Sequence, residues 1–341
     1  MGKRLVTLIL LIAILFAGGT ALFAGGAKEA RPLNFALSGN PDTLDPQKTT
    51  GTLTFQVCKS IYDTLVEPDQ TGKIVPALAE SWTVSPDSLT WTFTLRKGVV
   101  FHNGDPLTSR DVKATFDRIR NEAFASPKRN ECQAIGSIET PDDYTVVMKL
   151  SKPYAPFIAA LASGWGAILP ASLIEAGHNF DAEPVGTGPF KLVEWIRDNK
   201  IVLAKNPNYW MKGLPKLDSV VFQVIPERAV QVQGLLAGQI DALEYLDAED
   251  LPLLESNPDV VVTKRLSSLI LVMAMNCSRP PLNDPRVRQA INYAVDKQKV
   301  LDVAYGGGQP GSTFMDTGNA YYKDFTSLYP YNPDKARQLL K

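Results

Sequence analysis

Two histidines and three cysteines are all that the 341 residues offer of the side chains that most often bind metals or act as bases and nucleophiles near neutral pH. His102 lies in Phe101-His102-Asn103-Gly104-Asp105. Asn-Gly is a tight-turn signal, so His102 reads as the brace of a loop. His178, in Glu175-Ala176-Gly177-His178-Asn179, reads as an exposed helix end. Cys58, Cys132 and Cys277 are far apart and form no C-x-x-C. They read as three small buried residues, although in an oxidising compartment one pair could bridge and leave one over. There is no H-E-x-x-H, no G-x-S-x-G elbow and no Walker A loop. The expectation is no catalytic residue, no metal and no cofactor.

Other groups could position a ligand. Gly186-Thr187-Gly188-Pro189 looks at first like a phosphate cradle, but it lacks the following glycine and the helix of a dinucleotide site. Phe190-Lys191-Leu192-Val193 continues as a strand, so the glycines read as a chain crossing between lobes where unusual torsions are needed. Gly306-Gly307-Gly308 reads as a flexible loop. Asn206-Pro207-Asn208-Tyr209-Trp210 reads as a turn whose two large aromatics pack across a lobe face. Trp165, set in Ser163-Gly164-Trp165-Gly166, fits a ligand contact and a core filler equally well.

The elements that must position these residues are of both kinds. Leu33–Leu37 reads as a first strand ending in the turn signal Ser38-Gly39-Asn40-Pro41. Leu89, Trp91, Phe93 and Leu95 alternate with threonines, and Tyr144, Val146, Met148 and Leu150 repeat that period after the hairpin signal Pro141-Asp142-Asp143. Residues 201–203 and 220–225 are continuously apolar and read as strands of a sheet covered on both faces. Thr108 with Asp111 fits a capping box ahead of a helix burying Val112, Phe116 and Ile119. Asp284-Pro285 starts another, with Val287, Ile291 and Val295 as its buried stripe and Ala290 and Ala294 allowing close packing. A helix from about Glu227 is closed by Gly238 and hands over to a short strand at 240–243. Strands and helices interleave as in an α/β protein.

Composition adds exclusions. The chain is 45% apolar and 21% charged, with a formal net charge of −1. Lys3 and Arg4 precede a dense apolar run from Leu5 to Phe16, followed by Gly18, Gly19 and the small residues 24–27. This pattern reads as a secretory signal over residues 1–27; a membrane anchor is the alternative. Its removal takes away two positive charges and leaves −3, so no basic surplus points to nucleic acid. No cysteine lies near the junction, which disfavours lipid anchoring and favours a soluble periplasmic protein.

A longer pattern emerges from Pro76-Ala77-Leu78-Ala79-Glu80-Ser81-Trp82, Ser85-Pro86-Asp87-Ser88-Leu89-Thr90-Trp91-Thr92-Phe93, Leu95-Arg96-Lys97-Gly98-Val99 and Phe101-His102-Asn103-Gly104. It continues in Leu44-Asp45-Pro46, Tyr62-Asp63-Thr64-Leu65, Gly186-Thr187-Gly188-Pro189-Phe190, Asn208-Tyr209-Trp210, residues 284–296 and residues 331–340. In this order the strings resemble the signature of the family 5 extracellular solute-binding proteins, the dipeptide, oligopeptide, nickel and haem binders of bacterial ABC importers. The resemblance spans essentially the whole chain after the signal. It implies an α/β fold of the periplasmic binding protein type II, multi-lobed with mixed sheets. Residues 28–44 and 185–266 would form a discontinuous lobe I, 45–184 an inserted lobe II, and 267–341 the start of lobe III. Relatives follow the 331–340 helix with most of lobe III, so an incomplete third lobe is expected. By the same resemblance, the carboxylate that holds a peptide amino group and the aromatic and arginine pocket walls lie in that further part.

The resemblance implies a monomeric binding protein, not an enzyme, that captures di- or oligopeptides and delivers them to permease subunits and their ATPase. Its expected binding residues are Ser38, Gly39, Asn40, Trp165, Gly186, Thr187 and Gly188. Ser38 stands where peptide binders often carry an acid, which opens the rival ligands: a nickel chelate, haem or an oligosaccharide. Two histidines argue against direct nickel ligation. An exported hydrolase and a sensor subunit are the readings from other classes.

Overall fold

The computed structural model describes residues 31–264, 270–313, 315 and 322–341, so the segment read as a signal lies outside the described residues. The strands are β1 (Leu33–Leu37), β2 (Val66–Pro68), β3 (Ile74–Pro76), β4 (Ala79–Val84), β5 (Thr90–Leu95), β6 (Ile135–Asp142), β7 (Thr145–Leu150), β8 (Phe190–Ile196), β9 (Lys200–Lys205), β10 (Ser219–Val224) and β11 (Ala242–Leu243). The helices needed below are α1 (Thr52–Ile61), α2 (Ser109–Arg120), α3 (Ala171–Glu175), α4 (Pro285–Ala294), α5 (Lys297–Tyr305) and α6 (Pro333–Leu339). The chain divides into two compact units, one holding residues up to Gln231 with Gln239–Ala242, the other Val232–Gly238 with Leu243–Lys341.

The first unit carries the main sheets. One has the order β4-β5-β7-β6, all antiparallel. The predicted alternation holds: Trp91, Phe93 and Leu95 are buried and face Met148 and Val146 across the ladder, with threonines on the other face. On this buried face α2 lays Val112, Phe116 and Ile119. Its capping box forms as expected, and Asp111 reaches further. Its second carboxylate oxygen accepts the Ala171 N–H at 2.7 Å, pinning the start of α3.

The other main sheet has the order β11-β1-β10-β9-β8 and is mixed. β1 runs parallel to β10, while β9 is antiparallel to both its neighbours. Parallel neighbours need a long crossover; here the chain builds the whole four-stranded sheet between them. The reading of β9 and β10 as covered on both faces is corrected. Ile201, Leu203, Val220 and Phe222 are buried, but Val202 and Val221 on the opposite face are only half-buried. That face also carries the Asn34–Gln223 amide pair (3.0 Å), which keeps it polar.

Two apolar cores result, one under each sheet, and α1 serves both. Val57, Cys58 and Ile61 sink into the core of the mixed sheet, while Phe55 packs against the other. A buried ion pair ties the crossover to α2. Arg118 meets both oxygens of Asp45 (2.6 and 3.1 Å) and donates to Gln47 (2.8 Å). Its guanidinium lies 3.9 Å from the Phe124 ring centre and 5.2 Å from that of Phe180.

The second unit is smaller. Asp284 caps α4 through the Arg286 N–H (2.8 Å), and Asn332 caps α6 through Lys335 N–H (2.9 Å). The stripe expected on α4 is corrected: Val287, Ile291 and Val295 are half-buried and Ala294 is exposed. α4 packs on α6, and the fully buried side chains of the two helices are Ala290 and Ala336. Cys277 is exposed rather than buried, and all three cysteines are free. Gly306 takes the left-handed cap of α5 at φ +68°, so this glycine is a defined stop rather than a flexible link.

The Arg118 pair predicts a measurable dependence. Arg118→Met leaves the Asp45 carboxylate, 1% exposed, without its counter-ion and should cost about 3–5 kcal/mol in urea unfolding. Adding Asp45→Asn should recover part of that loss. A single variant as stable as the wild type would show that the pair is incidental.

Candidate functional site

β1 ends where its neighbour β10 ends, with Ile225 N–H donating to Leu37 C=O at 2.8 Å. Ser38 is then exposed, and Gly39 and Asn40 are half-buried. Asn40 is fastened to the turn between β8 and β9: its amide donates to Asp198 Oδ1 (2.5 Å) and its carbonyl oxygen accepts from Asp198 N–H (2.9 Å). Gly39 lies against α1, where an added Cβ would come 3.3 Å from Leu53 Cδ1. This end of the sheet is where ligands of α/β folds collect. Ser38 and the Gly39 backbone form its accessible lip, and Asn40 holds the lip in place.

Trp165 is placed elsewhere. It is 5% exposed and sits in the core of the four-stranded sheet, so of its two readings the structure shows the core filler. The glycine before it is required by proximity, since a Cβ on Gly164 would lie 2.7 Å from the Phe55 ring.

The Gly186-Thr187-Gly188 segment is packed onto the end of α1. Gly188 N–H donates to Ile61 C=O at 3.0 Å. A Cβ on Gly186 would fall 2.2 Å from Ile61 O, and one on Gly188 2.5 Å from Ile61 C. Neither glycine has a positive φ. The expectation that they supply unusual torsions is therefore corrected: they are glycines because two backbones touch. Thr187 is buried, and its hydroxyl donates to Asp63 Oδ2 at 2.7 Å.

Asp63 is the residue that reading the sequence passed over as a ligand of anything. It is 3% exposed and accepts from Thr187, from Trp210 Nε1–H (3.0 Å) and from Tyr209 O–H (3.3 Å), while its backbone carbonyl accepts Ile168 N–H (3.0 Å). Burial raises its carboxyl above the ordinary range, and the bonds from Trp210, Thr187 and Tyr209 oppose that rise. The signal available was a lone charge in the otherwise uncharged run Ser60-Ile61-Tyr62-Asp63-Thr64-Leu65-Val66. Tyr209 and Trp210 thus turn inward to a carboxylate, with Arg96 stacked 4.9 Å from the Trp210 ring.

His102 closes the arrangement from the other side. Its N–H donates to Gly186 C=O (2.8 Å), its Nε2 meets Gly188 C=O (3.0 Å) and its Nδ1 faces Gly186 N–H (3.4 Å). A carbonyl partner requires Nε2–H, leaving Nδ1 to accept, so the ring is neutral. Burial pulls its pKa down to about 4, against a smaller opposing effect of the Gly188 carbonyl. The loop-brace reading of His102 is what the structure shows. His178 is half-buried rather than exposed, because its ring packs edge-on to Phe180 at 4.9 Å. Among the described residues no group of three His, Cys, Asp or Glu is placed to hold a metal, and no helix is long and apolar enough to cross a membrane.

Two predictions follow from this geometry. Gly188→Ala must push apart two backbones and should cost about 1–3 kcal/mol or more; Thr187→Val, which removes one donor from a buried carboxylate, should cost about 1–3 kcal/mol. Both are read by chemical denaturation, and unchanged midpoints would contradict the packing described. The second concerns pH. The folded chain resists protonating His102, whereas the unfolded chain takes up that proton near the ordinary value of 6.5. The ring's contribution is therefore full above pH 6.5 and is lost as pH falls toward about 4. The stability difference between wild type and His102→Gln should shrink across that window. A difference independent of pH would mean that the ring is not held neutral.

Comparison with known proteins agrees with this architecture. The family described as bacterial extracellular solute-binding proteins, family 5 Middle, matches residues 73–341. The glutathione-binding protein GsiB of Escherichia coli O1:K1 is 34% identical over 323 residues, which is 94% of this chain and 63% of GsiB. Among solved structures, the periplasmic binding protein DppA of Helicobacter pylori in complex with peptide STSA superposes with a TM-score of 0.80 at 33% identity, covering 91% of this chain and 65% of that one. AgaA of A. tumefaciens R10, in complex with agropinic acid, gives 0.76 at 35% identity, covering 91% and 64%. The fold is that of the type II periplasmic binding proteins, and the chain spans about 63% of the length of the curated relatives it matches. With the family matching residues 73–341 and a relative 34% identical over 94% of this chain, the chain belongs to the family 5 bacterial extracellular solute-binding proteins.

Proposed function

We propose that this chain is part of the solute-capturing component of a bacterial ABC importer, that it works in the periplasm, and that its solute is a short peptide. The observation that carries the reading is the lip at the end of β1. Ser38 is exposed, and Gly39 has no side chain, so backbone N–H and C=O groups stand at the end of a mixed sheet for an extended ligand to pair with. Pairing through backbone suits solutes that share a main chain and differ in side chains. The ligands of the relatives support it, since glutathione and STSA are both peptides.

On this reading lobe I comprises 28–44 and 185–266, lobe II is 45–184, and lobe III begins at 267. The buried segment 186–188 acts as a support of the lip rather than as a surface for solute. Delivery to permease subunits and an absence of catalysis belong to the same proposal. His102, the one histidine near the lip's support, has both ring nitrogens engaged by Gly186 and Gly188. A second reading has its own observation. Ser38 brings no charge to the lip, and AgaA holds agropinic acid, so a small organic acid is the alternative solute.

Calorimetric titration of the exported protein with glutathione, di- and tetrapeptides, and small organic acids separates the two. Peptide binding should weaken at least about tenfold, roughly 1.4 kcal/mol, in Ser38→Trp, with an unchanged melting temperature. Heat with organic acids alone would replace the peptide reading, and equal peptide affinity in Ser38→Trp would remove the lip from the site.

A further inference from the structure

We propose that a cavity between the end of α2 and the start of β6 binds a small oxyanion of the phosphate type through Arg120 and Arg129. The cavity measures about 260 Å³ and is lined by Arg120, Arg129, Cys132, Gln133 and Ile135. It is partly open to solvent and has room for an oxyanion together with bound water. None of these residues belongs to the lip of β1 or to the Asp63 cluster.

The chemistry of the lining is one-sided. Two guanidiniums and a carboxamide are present, and no carboxylate lines the space. Cys132 adds no negative charge, because burial pushes its thiol up to about 12. Both arginines are held by backbone carbonyls: Arg120 Nη2 donates to Gly136 C=O (3.1 Å), and Arg129 Nε donates to Arg120 C=O (3.2 Å). The two forks are thereby fixed relative to each other, and the preorganisation lowers the cost of binding.

Their counter-charges are weakly engaged. Arg120 meets Asp117 at 3.3 Å, and Asp117 is shared with Lys113 at 2.5 Å. Arg129 meets Glu122 at 3.4 Å, and the Glu122 side chain is 84% exposed. Such exposed pairs are worth little. Among the described residues, Arg120 Nε and Arg129 Nη2 have no acceptor at all. A planar fork with free N–H groups is the usual partner of phosphate and carboxylate oxygens. The preference for a tetrahedral oxyanion comes from having two forks, which can divide three or four oxygens between them.

The test is thermal unfolding of the full chain across a series of inorganic phosphate, against sodium chloride of equal ionic strength. A site predicts a melting temperature that climbs with phosphate but not chloride. Arg129→Gln should abolish the climb and Arg129→Lys, which keeps the charge without the fork, should leave a fraction of it. Arg129 is exposed, and melting without phosphate controls for folding in each variant. Co-sedimentation with phosphatidylglycerol against phosphatidylcholine vesicles separates a free anion from a lipid headgroup: vesicle binding that Arg129→Gln removes assigns the same oxyanion to a headgroup. A climb that persists in Arg129→Gln overturns the site. So does the lack of both a phosphate effect and Arg129-dependent vesicle binding.

Discussion

The first unit depends on a carboxylate, Asp63, that is buried with no counter-ion among the described residues. Removing an ionised group from water is costly, and the cost is met only if its oxygens are filled by well-placed donors. Asp63 has three, from Thr187, Tyr209 and Trp210, and they come from segments 124 to 147 residues away in sequence. Satisfying one acid therefore fixes where the chain returns to the mixed sheet and where it turns after β9. The glycines on either side of Thr187 let its hydroxyl come close enough, because any Cβ would collide with Ile61. Close approach and buried polarity are here two aspects of the same constraint.

That constraint explains how two cores become one body. Each sheet has its own apolar layer, and two layers sharing a chain need not be rigidly joined. Here α1 enters both, and its end is clamped by Gly186-Thr187-Gly188 while His102 from the loop after β5 grips the same segment. The Asp45–Arg118 pair forms a second junction, tying the start of the crossover to α2. Both junctions are polar and both are buried. Apolar contacts of similar area would tolerate small slips, whereas a bidentate ion pair and a three-donor carboxylate are satisfied in one register.

Much of this was legible in the sequence. The period-2 runs at 89–95 and 144–150, the Thr108–Asp111 box and the Asp284-Pro285 start specify local structure through interactions within a few residues. The structure carries all of them. What could not be read is of longer range. A glycine needed for close approach looks like one needed for torsion until its neighbour is known, as at Gly186 and Gly188. An aromatic pair such as Tyr209-Trp210 reads as packing, because the acid it serves lies at position 63. Half-buried Val287 and Ile291 differ from expectation for a similar reason: periodicity shows which face of α4 is apolar, not how much of it a partner covers.

The strings by which the chain resembles its family have a common fate in space. Tyr62-Asp63-Thr64-Leu65, Phe101-His102-Asn103-Gly104, Gly186-Thr187-Gly188 and Asn208-Tyr209-Trp210 are dispersed along the sequence. Yet Asp63, His102, Thr187, Tyr209 and Trp210 are linked through hydrogen bonds to one another or to the same two glycines. These residues are consumed in holding the sheets together, and few of their polar atoms are left for a solute. A signature of this kind identifies the scaffold and is neutral about its cargo. The cargo must be read from groups the scaffold leaves unspent. On the proposed reading those are the exposed Ser38 and the backbone of the half-buried Gly39 at the end of β1, whose geometry is set, through Asn40 and Leu53, by the elements the signature holds in place.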